Sequence, residues 1–360
     1  MGRLRLRLAA PRRVEVAAVA LRGSVRARVA LRIALHDDGG NVGPVGHGEA
    51  MPLPGYSRDD ADAAAAVLAA LAAAAPIEVP DVGVPIDRIA AALRPHAAVL
   101  ASSISARFAL ECALVDGLSR RAGLSAAHWL AAGRALQPVP ISVLLPEDPA
   151  AAVAAAAAAA SRGHAVLKIK VARSDRSADA EHRLLAALHA AAPLAQLRLD
   201  ANGGLDRARL RERFGRWAAL GAGVVELVEE PVAGAALLEL GALPLRWAAD
   251  ESLADPALAA ALLALPDARV PAAFVLKPAQ LGLVRCFELA RAAAARGIGL
   301  IVTHSFDGDL GHAAACALAA ALPLPPWPCG LAPHEGMTRR SPAQPWLVAN
   351  DASGLGCEPD

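Results

Sequence analysis

Residues 224–231 read VVELVEEP and residues 245–252 read LRWAADES. In each, a short apolar run ends in acidic residues, Glu229 in the first and Asp250 in the second. Apolar runs of this length suit strands buried on both faces of a parallel sheet. A charge at the carboxyl end of such a strand stands where a β/α barrel presents its reactive groups. Working outward, the same texture recurs in VPISVLL from 139, AVLKIKV from 165, LRLDA from 197, AAFVLKP from 272 and GLIVTHS from 299, with helical stretches between them. A weaker eighth run falls near Trp327 to Leu331. This alternation predicts an α/β fold, a modified (β/α)8 TIM-type barrel of the (β/α)7β kind. A doubly wound open sheet would alternate in the same way, but the number of units and the placement of charges favour the barrel.

The charged strand ends carry the chemistry. Lys168 and Lys170 close the second run, Asp200 the third, Glu229 the fourth, Asp250 the fifth and Lys277 the sixth. Successive members lie about one βα unit apart, so they should stand side by side around the barrel rim. Three carboxylates converging on one point repel one another unless a cation neutralises them. Oxygen ligands without nearby Cys or His select Mg²⁺, with Mn²⁺ as the alternative, over zinc. Lys168 and Lys170 are two apart on a strand and share a face, where each is expected to lower the other's pKa toward that of a general base. A lone Asp or Lys at a strand end is usually solvated surface, but recurrence at successive ends argues for a site.

Before residue 136 the texture differs. Residues 3 to about 50 are strand-like, with alternation from Arg26 to Leu35 and turn formers at Asp37-Asp38-Gly39-Gly40. Ala-rich helical segments follow at about 59–74, 86–99 and 103–121, the last stopped by Gly123. The expected organisation is an α+β capping domain over 1–135, a barrel with the metal site over 136–325, and a last strand with a returning segment over 326–360.

The 360 residues carry a formal net charge of +1, so no general electrostatic attraction to nucleic acid or an anionic membrane is expected. The Ala150 to Ala160 run is a helix former too short to span a bilayer. The first residues, MGRLRLRLAAPRRVEV, alternate apolar residues with Arg and lack the continuous apolar core of a signal peptide. Five dispersed cysteines without a CxxC pair suggest neither a disulfide framework nor a zinc site. The expectation is a cytoplasmic enzyme acting on a small molecule, with a homo-oligomer left open.

The motifs LKIKV (167–171), LRLDANGG (197–204), VEEP (228–231), ADES (249–252) and LKP (276–278) resemble, in order and spacing, the enolase superfamily and its muconate lactonising subgroup. That resemblance implies Asp200, Glu229 and Asp250 as metal ligands. It implies Lys170 as the base that removes a proton α to a carboxylate to give an enediolate, with Lys168 beside it and Lys277 on the opposite face. Within the subgroup, GEAMPLPGYS (48–57), SARFALECALVDG (105–117) and SFDGDLGHAA (305–314) look like the o-succinylbenzoate synthase family. The implied reaction is dehydration of 2-succinyl-6-hydroxy-2,4-cyclohexadiene-1-carboxylate, a step of menaquinone biosynthesis. Arg198, Asn202, Tyr56, Ser305 and Asp307 are the implied contacts to this carboxylate substrate. The helix N-terminus after Asp307 is expected to receive one of its carboxylates.

The chain departs from that family where His304 and Gly308 replace small hydroxyl residues. Lys277 ends the strand before His304, so the His-Asp dyad of mandelate racemases is absent, and His304 reads as a hydrogen-bonded rim residue. CGLAPHEG (329–336) lacks the Asp-x-Asp expected of a dipeptide epimerase. An N-acylamino acid racemase or dipeptide epimerase remains the rival reading. A barrel that has lost catalysis and serves as a binding protein is the alternative from another class.

Overall fold

The computed structural model describes residues 4–21, 24–39, 45–136, 138–334, 336–337, 343–349 and 351–357. Its amino-terminal part is an antiparallel sheet of β1 (Leu4–Leu8), β2 (Arg12–Leu21), β3 (Ser24–Asp37), β4 (Gly46–Ala50) and β5 (Ile77–Val79). The long β3 pairs with β1, β2 and β4. Asp37 to Gly39 leave β3 in the expected turn, while Gly40 lies outside the described residues. The predicted helices appear at Ala61–Ala73 and Ile104–Arg121, while the one expected over 86–99 is divided at Arg94-Pro95 into Pro85–Leu93, a 3-10 turn Arg94–His96 and Ala97–Leu100. The helix Ile104–Arg121 lies directly on β4: a Cβ on Gly46 or Gly48 would come within 2.2 Å of Ala113 O or 2.0 Å of Ala109 O. Only glycine allows that approach.

The carboxyl-terminal part is a curled sheet of seven parallel strands, which pair strictly in chain order. They are β7 (Val143–Leu144), β8 (Val166–Lys170), β9 (Gln196–Asp200), β10 (Val225–Glu229), β11 (Trp247–Ala249), β12 (Ala273–Leu276) and β13 (Gly299–Val302). Parallel bridges Thr303–Gly330 and Ile141–Cys329 join the two edges through the eighth run. This closure and the unreversed order exclude the doubly wound alternative. The eighth run supplies single bridges and no helix follows it among the described residues, so the barrel is of the (β/α)7β kind. The first predicted run is divided: Val139–Pro140 forms β6, antiparallel to β14 (Trp346–Leu347), while Ile141 joins the barrel by its single bridge and Val143–Leu144 as a strand.

Inside the barrel, Leu227, Ala248, Ala273, Val275 and Ile301 form an apolar plug closed by Trp327. Side chains alternate along a strand. With Leu227, Ala248 and Val275 inward, Glu229, Asp250 and Lys277 therefore face the axis one layer above the plug. Among the described residues no helix is long and apolar enough to cross a membrane.

Candidate active site

Strand register sets the first three positions. Lys170 is the rung partner of Asp200, and Asp200 of Glu229, so the three stand at one level. Lys168 lies one inward position lower, opposite Arg198. Its ammonium is 3.0 Å from Asp200 Oδ2 and also hydrogen-bonds Glu229 Oε2. Lys170 Nζ donates to Asn202 Oδ1 at 2.6 Å and reaches Asp200 Oδ2 at 3.4 Å. Across the mouth, Lys277 Nζ is 2.7 Å from Asp250 Oδ2 and donates to Glu251 Oε1 at 2.9 Å. Asn202 Nδ2 donates to the same Glu251 oxygen at 3.2 Å, which closes the ring between the two opposed lysines.

The capping domain completes the site. Tyr56 OH accepts from Lys277 Nζ at 2.7 Å, and its ring lies 5.4 Å from that nitrogen. Gln280 Nε2 donates to Ser57 Oγ at 3.2 Å, and Arg58 donates to Ala254 O at 2.9 Å. Three consecutive loop residues thus hold the cap against the ends of the fifth and sixth strands. A count in the sequence singles out the same groups. Of 36 basic residues only Lys168, Lys170 and Lys277 are lysines, and Tyr56 is the only tyrosine. A guanidinium cannot surrender its proton near neutral pH and an ammonium can, so lysine is confined to the place where proton transfer would need it.

The electrostatics correct one expectation. Burial pulls the Lys168 ammonium down, but Asp200, Glu229 and Asp250 outweigh it and hold its pKa above the ordinary value. Burial lifts the Asp200 carboxyl, but Lys168, Lys170 and Lys277 lower it further, and the net direction is down. Asp250 is raised, first by burial, with Lys277 opposing and Glu251 and Glu229 adding. Lys277 is also raised, because Asp250, Tyr56 and Glu251 overcome the effect of burial. These last two directions conflict, since a protonated Asp250 could not hold the charge on Lys277. At 2.7 Å the ion pair is the better description, with Asp250 charged at the expense of its solvation.

Asp200, Glu229 and Asp250 are 2%, 1% and 3% exposed. Asp250 accepts from no backbone amide among the described residues, so this buried carboxylate is compensated by the Lys277 ammonium at 2.7 Å and by the charge of Lys168. Three buried carboxylates offer the oxygen chemistry that a hard divalent cation takes. Among the described residues, however, no three carboxylate, imidazole or thiol groups are drawn together at metal-ligand spacing. Lys168 is itself the cation that Asp200 and Glu229 share. The second Glu of VEEP does not join them. Glu230 accepts from the amides of Asp250 and Ser252, at 2.7 and 3.2 Å, and braces the fifth strand end.

Three expected substrate contacts lie elsewhere. Arg198 is 1% exposed in the barrel interior. Its Nε and Nη2 donate to Glu226 at 2.7 and 3.0 Å, and Nη1 to Pro328 O at 2.7 Å, so its donors are spent on the floor of the site. A register irregularity between Val225 and Leu227 turns Glu226 inward to meet it. Ser305 and Asp307 do not reach the lysines. With Glu49, Met51, Ser57 and Phe108 they line a cavity of about 10 Å³, barely room for one water. Burial, reinforced by Glu49 and opposed by Ser305 N and Arg28, pushes the Asp307 carboxyl up to about 7. The helix N-terminus after Asp307 is already filled: Glu49 Oε1 accepts from Leu310 N and Gly311 N at 3.1 and 3.2 Å.

His304 is a rim residue: its Nε2 pairs with Ala332 O at 3.0 Å and its Nδ1 accepts from Phe306 N at 3.1 Å. Burial keeps it neutral. Sequence reasoning missed Glu251, Glu226 and Glu49. The second acid of ADES was a signal for the first and the acid of GEAMPLPGYS for the last, whereas Glu226 had none beyond being an acid in an apolar run.

Residues 150–360 match the family model described as enolase C-terminal domain-like. A hydrophobic dipeptide epimerase of Citrifermentans bemidjiense is 32% identical over 251 residues, 67% of this chain and 66% of that protein. An o-succinylbenzoate synthase of Thermobifida fusca is 34% identical over 186 residues, 48% of this chain and 53% of that protein. The chain thus spans about two thirds of the first relative and about half of the second. The muconate lactonizing enzyme of Pseudomonas putida superposes with a TM-score of 0.76 at 22% identity, over 98% of this chain and 96% of that one, and so shares the fold.

Proposed function

Starting from the fact that this chain belongs to the enolase superfamily, we propose that it is an o-succinylbenzoate synthase of the muconate lactonising subgroup. Its reaction would be the dehydration of 2-succinyl-6-hydroxy-2,4-cyclohexadiene-1-carboxylate in menaquinone biosynthesis. The observation that carries this reading is the docking of the GEAMPLPGYS loop, whose Tyr56 and Ser57 contact Lys277 and Gln280. That the loop resembling those synthases packs against Lys277 supports this reading.

Lys170 is the better candidate for the base. Lys168 is committed to two carboxylates, while Lys170 has one amide contact at 2.6 Å and one longer carboxylate contact. It would take the proton α to the carboxylate, and the 6-hydroxyl would leave as the ring becomes aromatic. Lys277, held charged on the opposite side and steadied by Tyr56, would offset the negative charge that develops between the lysines. Asp200, Glu229 and Asp250 would hold Mg²⁺, with Mn²⁺ as the alternative, which when bound supplies Lewis-acid stabilisation of the substrate carboxylate. Asn202 links the two lysines through Glu251 and fixes their separation. Such a metabolic step would belong in the cytoplasm, with a small carboxylate as partner and neither nucleic acid nor membrane required.

A second reading is epimerisation of a dipeptide or racemisation of an N-acylamino acid. The 32% identity to the epimerase of Citrifermentans bemidjiense favours it, and two opposed lysines suit 1,1-proton transfer. The absence of an Asp-x-Asp in CGLAPHEG counts against the dipeptide version. Purified protein assayed with the cyclohexadiene substrate, with and without EDTA, should form the aromatic product only when divalent metal is present. No product, combined with α-hydrogen exchange into N-succinyl amino acids in D₂O, would transfer the assignment to the racemase.

A further inference from the structure

Four barrel helices carry their own caps: Pro149–Ser161, Ala178–Ala191, Arg207–Ala218 and Pro256–Leu263 follow Asp148, Ser177, Asp206 and Asp255, whose side chains accept first-turn amides. The next two helices longer than a single turn do not. Leu283–Ala295 starts from Gly282 and Asp309–Ala320 from Gly308, neither with a side-chain cap of its own. In both cases a glutamate of the capping domain fills the place. Glu111, on the helix Ile104–Arg121, accepts from Leu283 N and, at 3.4 Å, from Val284 N. Glu49, on β4, takes Leu310 N and Gly311 N.

Each glycine fits its glutamate. A Cβ on Gly282 would lie 2.9 Å from Glu111 Oε2, and one on Gly308 2.2 Å from Glu49 Oε1. Glu111 is completely buried and Glu49 is 4% exposed, so these are interior joints between the two domains. Arg107 Nε balances the charge of Glu111 at 3.0 Å. The two helices follow the strands that carry Lys277 and the Ser305–Asp307 loop. Between Lys277 and Leu283 the chain is one tight turn, with Leu281 N bonded to Lys277 O at 3.0 Å and Gly282 N to Pro278 O at 2.7 Å.

We infer that Glu111 is a positioning residue for Lys277, holding its strand end through the Leu283 amide, and that Glu49 does the same for the Ser305–Asp307 loop. Docking of the cap thereby sets the reactive end of the barrel, beyond covering it. Losing a cap frees a helix start by an amount that corresponds to about a fivefold change in an equilibrium.

The three lysines of the chain allow a test that needs no assumption about the reaction. Reductive methylation of the intact protein, followed by peptide mass spectrometry, gives the labelling rate of Lys277 against Lys168 and Lys170. Glu111→Ala should change the Lys277 ratio about fivefold, and Glu111→Gln, which keeps an acceptor oxygen, should restore most of it. Glu49→Ala should raise amide exchange at Leu310 and Gly311 and leave the Lys277 ratio alone. An unchanged ratio in Glu111→Ala despite a lowered melting temperature would make the residue merely structural and overturn the inference. An equal change in Glu49→Ala would show general loosening and overturn it as well. Should Glu111→Ala not fold, Glu111→Asp, which draws the carboxylate back by one methylene from the Leu283 amide, carries the same two outcomes.

Discussion

The hydroxyl of Tyr56 sits 2.7 Å from Nζ of Lys277, although the two residues belong to different domains and lie 221 positions apart in the chain. The contact ties the only tyrosine of the sequence to one of its three lysines. Tyr56→Phe keeps the ring and removes the hydrogen bond, leaving Lys277 with Asp250 and Glu251. A hydrogen bond to a charged group contributes about 1.5–3 kcal/mol, so kcat should fall about 10- to 100-fold, with a smaller change in KM. Steady-state kinetics check this, and unchanged constants would mean that the loop covers the site without acting on it.

Lys170→Ala should lower turnover by about 10²- to 10⁴-fold, the usual contribution of a general base. Lys170→Arg should do no better, because a guanidinium stays protonated. Recovery of activity in the arginine variant would mean that this position supplies charge and does not move a proton.

The buried carboxylate of Asp250, with Asp200 and Glu229 beside it, predicts a linkage between metal and stability. Saturating Mg²⁺ at about 100 times its Kd should stabilise the fold by about 2.7 kcal/mol, seen as a rise in melting temperature that EDTA reverses. Asp250→Asn should abolish most of that rise. A wild-type protein with the same melting temperature in Mg²⁺ and in EDTA would remove the basis for assigning these residues to a metal.

Asp307 predicts a pH effect on stability. Its carboxyl titrates near 3.8 when free and at about 7 in the fold, so between these values the folded state binds more protons than the unfolded one. The contribution is favourable at the acid end and is lost as pH rises toward about 7. Asp307→Asn mimics the protonated form, so the variant should match wild type near pH 4 and exceed it near pH 8 in denaturant midpoint. A stability difference independent of pH would show that Asp307 is not buried as a neutral acid.

The barrel was legible because its signal is local. A strand buried on both faces must be apolar along its length, so Asp200, Glu229, Asp250 and Lys277 stood out at the strand ends, and one per unit suffices to place them on a common rim. The eighth strand was faint because Cys329 and Gly330 contribute only single bridges, too short a run for alternation to register. The resemblance makes Arg198 a substrate contact, and alternation does put it on the face of Asp200. Alternation gives a face and not a depth, and depth depended on a register irregularity in the neighbouring strand that turned Glu226 toward it.

What the sequence determined by itself was the set of groups and their order around the ring, since strand period and unit length are properties of the chain at short range. Which group touches which was decided only by tertiary structure. Lys168 lies between Asp200 and Glu229 and not beside a second free ammonium, Tyr56 reaches Lys277 from another domain, and Glu49 fills the helix terminus expected to receive substrate. Each of these is a contact across many tens of residues, fixed by domain docking and burial, and the free energy of a buried charge depends on the partners that packing brings to it.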